Sequence, residues 1–102
     1  MGFKYGMRPV HPGEMLREDY LRPLEMSVNA LAKRLGVSAS RINDIVLERR
    51  GVTPETAMRL ARFFGGDARS WLNLQTAYDL RVTEIARAGD IERAIEPRQR
   101  SA

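Results

Sequence analysis

Ser38, Ser40, Arg41, Asn43 and Asp44 crowd into one short segment, and together they carry the hydrogen-bonding groups that can read base edges in nucleic acid. An Arg guanidinium matches guanine bidentately, an Asn carboxamide matches adenine, and a carboxylate accepts from cytosine N4. Each such pairing is worth about 1–3 kcal/mol of discrimination against the wrong base. On this reading Arg41 meets guanine, Asn43 adenine and Asp44 cytosine, while Ser38 and Ser40 bond bases or phosphates. A carboxylate near phosphates is repelled unless something compensates it, so Asp44 has a second reading as the group that orients Arg41. Lys33, Arg49 and Arg50 flank the segment as phosphate candidates, or else form an ordinary solvated basic surface.

Charge agrees in sign. The 102 residues carry 17 Lys+Arg against 13 Asp+Glu, a formal charge of +4, which favours a polyanionic partner. Nearly all the basic residues are Arg, the better fork for phosphates and guanine, although an arginine-rich genome accounts for the same bias. Catalysis has little to work with. Cys is absent and His11 is the single histidine, so no thiolate, His–Cys metal site or histidine pair can be assembled. Glu18 and Asp19 are adjacent and point to different helix faces, a poor acid–base couple. The chain is therefore expected to be neither enzyme nor cofactor carrier, and His11 to be a cap or packing residue. Met1 to Val10 lacks a signal-type apolar run and no segment is apolar enough to span a bilayer, so a bacterial cytoplasmic location is expected.

The reading segment needs elements to hold it, and the periodicity supplies only helices. Pro12 is suited to a first turn with Glu14 at its positive end, Met15, Leu16 and Tyr20 pointing inward, and Pro23 closing the helix. Ser27 caps a second helix carrying Leu31, Ala32 and Leu35, which Gly36 ends. Ser38 caps a third with Ile42, Ile45 and Val46 inward. Thr53-Pro54-Glu55-Thr56 starts a fourth, with Met58, Leu60, Ala61 and Phe64 as buried candidates before Gly65-Gly66. Asp67 or Ser70 opens a fifth, whose stripe runs Trp71, Leu74, Tyr78, Val82 and Ile85. Beyond Gly89 a further helical turn and a mobile basic tail are expected.

Residues 28–47 meet the demands of a helix-turn-helix. Two short helices must cross closely through a tight turn, so that the second enters a groove about 12 Å wide. Ala32 allows the close approach, Gly36 the left-handed turn, and Val37, Ile42 and Ile45 lock the second helix to the core. The competing account is a plain helical hairpin in an all-α bundle. Val82 and Ile85 outrun a compact domain and are candidates for a dimer interface. A two-fold dimer sets its reading helices about 34 Å apart, on an inverted repeat of double-stranded operator DNA.

Three further stretches carry a resemblance: His11-Pro12-Gly13-Glu14-Met15-Leu16, Arg50-Gly51-Val52-Thr53-Pro54-Glu55-Thr56-Ala57 with Arg59-Leu60-Ala61, and Trp71-Leu72-Asn73-Leu74-Gln75 with Tyr78-Asp79-Leu80. With their spacing they make the chain resemble, from about His11 to Leu80, the HigA-type or virulence-associated protein I-like antitoxins of the Xre, lambda-repressor-like group. The resemblance implies an all-α, lambda-repressor-like domain of five helices that dimerises, represses its own promoter and neutralises a RelE-like ribonuclease toxin of a type II toxin-antitoxin module. Relatives vary at the positions of Arg41, Asn43 and Asp44, as expected if each reads its own operator. The expected organisation is an N-terminal extension (1–10), the DNA-binding domain (11–88) and a short C-terminal segment (89–102), with the last helix extended toward a dimer partner. Two alternatives stand beside it: a stand-alone Xre-type repressor, and a protein-binding module whose fifth helix works while its DNA reading is vestigial.

Overall fold

Five helices in sequence form the described part of the chain, residues 8–98 of a computed structural model. Residues 1–7 of the expected N-terminal extension and 99–102 of the expected basic tail lie outside it. Helix α1 (residues 12–24) begins where the buried His11 caps its own helix: Nδ1 accepts from the Gly13 N–H at 2.8 Å, and Pro12 occupies the first turn. After Pro12–Met15 it widens into a π-helical stretch, Leu16–Leu21, and closes with Arg22–Leu24.

The helix closes where the sequence expects, one residue past Pro23. Ahead of it the Arg22 N–H reaches back to Arg17 O in the i−5 manner. The chain turns at Glu25, which is left-handed at φ 52°.

Helix α2 (Val28–Leu35), α3 (Ala39–Val46) and α4 (Pro54–Phe64) follow, each with a hydroxyl cap in place: Ser27 Oγ accepts from Ala30 N–H, Ser38 Oγ from Arg41 N–H, and Thr53 Oγ1 from Thr56 N–H. Asp67, not Ser70, caps α5 (Ala68–Ala94), taking the Ser70 N–H at 2.9 Å, and that bond holds its carboxyl below the usual range. The core is continuous across the domain and includes Leu16, Leu31, Ile42, Ile45 and Leu60, all fully buried, with Trp71 reaching in from α5. Tyr20 joins α1 to that end of the core, its ring 4.6 Å from Phe64 and 5.4 Å from Trp71.

One expectation is corrected. Met58 is 65% exposed, because the inward stripe of α4 runs through Thr56, Ala57 and Leu60 and turns Met58 outward. The helical turn expected beyond Gly89 is present and continuous with α5, which runs through to Ala94, since one Gly weakens a helix by only about 1 kcal/mol relative to Ala. In α5 only Trp71 is fully buried, and beyond Tyr78 the helix leaves the domain, drawing the molecule out to 57 × 25 × 24 Å.

Candidate nucleic-acid interface

The turn between α2 and α3 closes as the sequence requires. Gly36 takes φ 73°, and the Val37 N–H returns to Ala32 O at 3.0 Å, satisfying a carbonyl that the end of α2 would leave open. Leu31, Ala32 and Leu35 then face Ile42, Ile45 and Val46 with almost no residual exposure. Burying that seam fixes α3 in rotation, and its opposite face is thereby presented to solvent.

On that face lie Ser40 and Asn43, both exposed. With Ala39 they line one side of a shallow groove of about 450 Å³, and Ser27, Val28 and Asn29 line the other. Lys33 stands one turn beyond Asn29 on the same side of α2, exposed and with no carboxylate within 4 Å among the described residues. Ser38 is also exposed, but its oxygen is occupied as the α3 cap at 3.2 Å from Arg41 N, which leaves its hydroxyl hydrogen to donate.

Arg41 and Asp44 are both half-buried and belong to different networks. Arg41 Nη1 lies 3.8 Å from Glu55 Oε1 on α4. Asp44 instead receives Arg49 Nη2 at 2.8 Å and has Arg50 Nη2 at 3.8 Å. The expectation that Asp44 orients Arg41 is therefore corrected: the chain reverses after α3 through a left-handed Glu48, φ 64°, and this swings Arg49 and Arg50 back over Asp44. Their backbone N–H groups also converge on Asp44 O, at 2.8 and 3.2 Å. Asp44 thus collects the two phosphate candidates at one end of α3, and its own charge is compensated there.

Support comes from behind. Gly13 of α1 sits directly on the last turn of α3, and Arg17, one turn on, donates Nη1 to Val46 O and lies 3.6 Å from Glu48. A cation is thus placed at the negative end of the reading helix. Gln75 of α5 accepts the Val52 N–H at 2.8 Å and donates to Asp79 at 3.0 Å, tying down the loop that follows Arg50.

Sequence reasoning brought Ser38, Ser40, Asn43 and Lys33 onto one outward surface, with Arg49 and Arg50 gathered at its end. It missed Asn29, whose one-turn spacing from Lys33 was the available signal. It also missed Gly13, Glu55 and Gln75, which lie in the very stretches that carry the family resemblance, and Arg17, which directly follows the first of them. Val82 and Ile85 are exposed, at 39% and 64%, on the projecting half of α5. Among the described residues no helix is long and apolar enough to cross a membrane.

Comparison with known proteins converges on one group. The Helix-turn-helix family, HTH_3, matches residues 16–71. Virulence-associated protein I of Dichelobacter nodosus is 63% identical over 81 residues, 79% of this chain and 75% of that protein. The Pseudomonas aeruginosa antitoxin HigA, solved with the higBA promoter, superposes with a TM-score of 0.87 at 46% identity, covering 90% of this chain and all of that one. Antitoxin GraA in complex with its operator superposes with a TM-score of 0.87 at 41% identity, covering 95% and 98%.

Proposed function

The chain belongs to the helix-turn-helix family of HigA antitoxins and virulence-associated protein I, and from that premise we propose that it is the antitoxin of a type II toxin-antitoxin module which binds its own operator as a dimer, represses its promoter and neutralises a RelE-like ribonuclease. It is a DNA-binding regulator and not an enzyme, as its relatives are. One observation carries the proposal. Ser40 and Asn43 of α3 share a solvent-open groove with Ser27 and Asn29 at the start of α2, so donors for bases and for backbone phosphates occupy one concave strip. Asp44 delivers Arg49 and Arg50 to the end of that strip.

A single copy offers a small surface for holding a duplex. Two copies joined through the projecting part of α5, at Val82 and Ile85, multiply affinity through effective concentration and set two reading helices on one face of DNA. The corresponding operator is an inverted repeat with half-sites about ten base pairs apart. The toxin role rests on the relatives' identity as antitoxins.

Anisotropy titration against the DNA upstream of the chain's own reading frame, at two salt concentrations, tests the DNA arm. Operator binding that persists at the higher salt, where scrambled DNA is released, is the expected result. Co-expression with the product of the neighbouring reading frame tests the toxin arm: rescue of growth and co-purification are expected. Operator binding without either outcome marks a stand-alone repressor.

A further inference from the structure

Arg41 has one contact through its backbone and one, an ion pair at 3.8 Å, through its side chain. Its backbone N–H donates to Ser38 Oγ, and its guanidinium lies across the gap between α3 and α4 beside Glu55. Glu55 is fixed in turn from its far side. Arg59 Nη2 donates to Glu55 Oε2 at 2.9 Å, while Arg59 Nη1 donates at 2.7 Å to Leu35 O, the last carbonyl of α2 before the turn. A relay of four residues, Leu35, Arg59, Glu55 and Arg41, therefore runs from the turn through α4 to the reading helix. Both arginines favour the charged carboxylate, the hydrogen bond from Arg59 most of all, and Glu55 titrates below the usual range.

We infer that Glu55 is a specificity-determining positioning residue: it holds one limb of the Arg41 guanidinium so that the remaining donors address a base edge and are kept off phosphates. The inference rests on the DNA-reading proposal above. A lone exposed ion pair has little grip on a long side chain. Here the carboxylate is anchored to backbone through Arg59, and it sits at the first turn of a rigid helix. An unrestrained Arg beside a duplex finds phosphates, which carry no sequence information, whereas a pinned guanidinium offers its fork in one direction.

The test is a double-mutant cycle on the full chain: wild type, E55Q, R41A and the double variant, each titrated with the chain's own upstream duplex and with a scrambled duplex. Removing a negative charge strengthens binding to both duplexes in either background, so the ratio of the two affinities is the readout. E55Q is expected to lower that ratio about fivefold or more when Arg41 is present, the lower end of what one base pairing contributes, and to leave it unchanged when Arg41 is absent. Equal effects in both backgrounds, or none with Arg41 present, overturn the inference and leave operator binding standing. A wild type without operator preference overturns the DNA-reading proposal and this inference with it. Glu55 is exposed and Arg41 half-buried, and far-UV dichroism of each variant confirms that it is folded.

Discussion

A methyl group on Gly13 would lie 1.8 Å from the carbonyl oxygen of Ile45. The first helix and the reading helix thus touch backbone to backbone, and no side chain fits between them. Gly13→Ala forces α1 away from α3 or strains both. Overpacking of this kind costs about 1–3 kcal/mol. Urea denaturation should show the loss, and operator affinity should fall further than stability alone accounts for, because Arg17 is carried off the end of α3. Wild-type stability in Gly13→Ala would refute the contact.

His11 predicts how the fold responds to acid. Burial lowers its pKa from the ordinary 6.5, partly opposed by the charges of Glu48 and Asp79. The unfolded chain therefore takes up this proton at higher pH than the folded chain does. Its contribution is complete above about pH 6.5, declines as pH falls toward the folded value, and is gone below it. Protonation also removes the acceptor for Gly13 N–H and charges a ring packed 4.8 Å from Tyr78. Thermal melts between pH 8 and 5 should fall more steeply for wild type than for His11→Asn, which keeps a cap acceptor without titrating. Parallel curves would clear His11 of the role.

Gln75→Leu leaves the buried Val52 N–H without its acceptor. A loss of about 1–3 kcal/mol is expected, with faster amide exchange at Val52 and its loop neighbours than in α2. Unchanged exchange at Val52 would mean that the loop is held elsewhere.

Asn43 and Arg49 should fail differently. Asn43→Ala is expected to weaken operator binding by about 1–3 kcal/mol and to relax preference at one base pair per half-site. Arg49→Ala should weaken binding to all sequences alike and reduce the slope of log K against log salt by about one per lost contact. A base-specific effect from Arg49, or a purely salt-linked one from Asn43, would reverse the assignments.

Ile85→Asp places a charge on the projecting half of α5. Sedimentation should then report one chain where wild type reports two, with operator affinity reduced at least tenfold and melting of residues 11–78 little changed. A variant that still sediments as a dimer would move the interface off this face.

What the sequence disclosed follows the range of the forces involved. Ser27, Ser38, Thr53 and Gly36 act on backbone within four residues, so helix starts and the tight turn were legible from spacing. The π-helical stretch before Pro23 was not legible, because it has no mark in a 3.6-residue pattern. Met58 misled because apolar character does not state which way a helix is rolled. Asp44 and Arg41 are three residues apart, yet their partners are chosen by a left-handed Glu48 and by a carboxylate on another helix, which only the folded chain brings near.

The projecting half of α5 has a consequence for abundance. Leu80, Ile85, Ile91 and Ile95 are each more than two-fifths exposed, so residues 79–94 have almost no core beneath them. A helix of that length gains little from its own hydrogen bonds in water and draws its order from whatever covers it. When the cover is another copy, mass action makes order there a function of how many chains are present. For the dimer proposed above, dilution would fray the handle and leave the helix-turn-helix intact, so that the molecule would double as a gauge of its own supply.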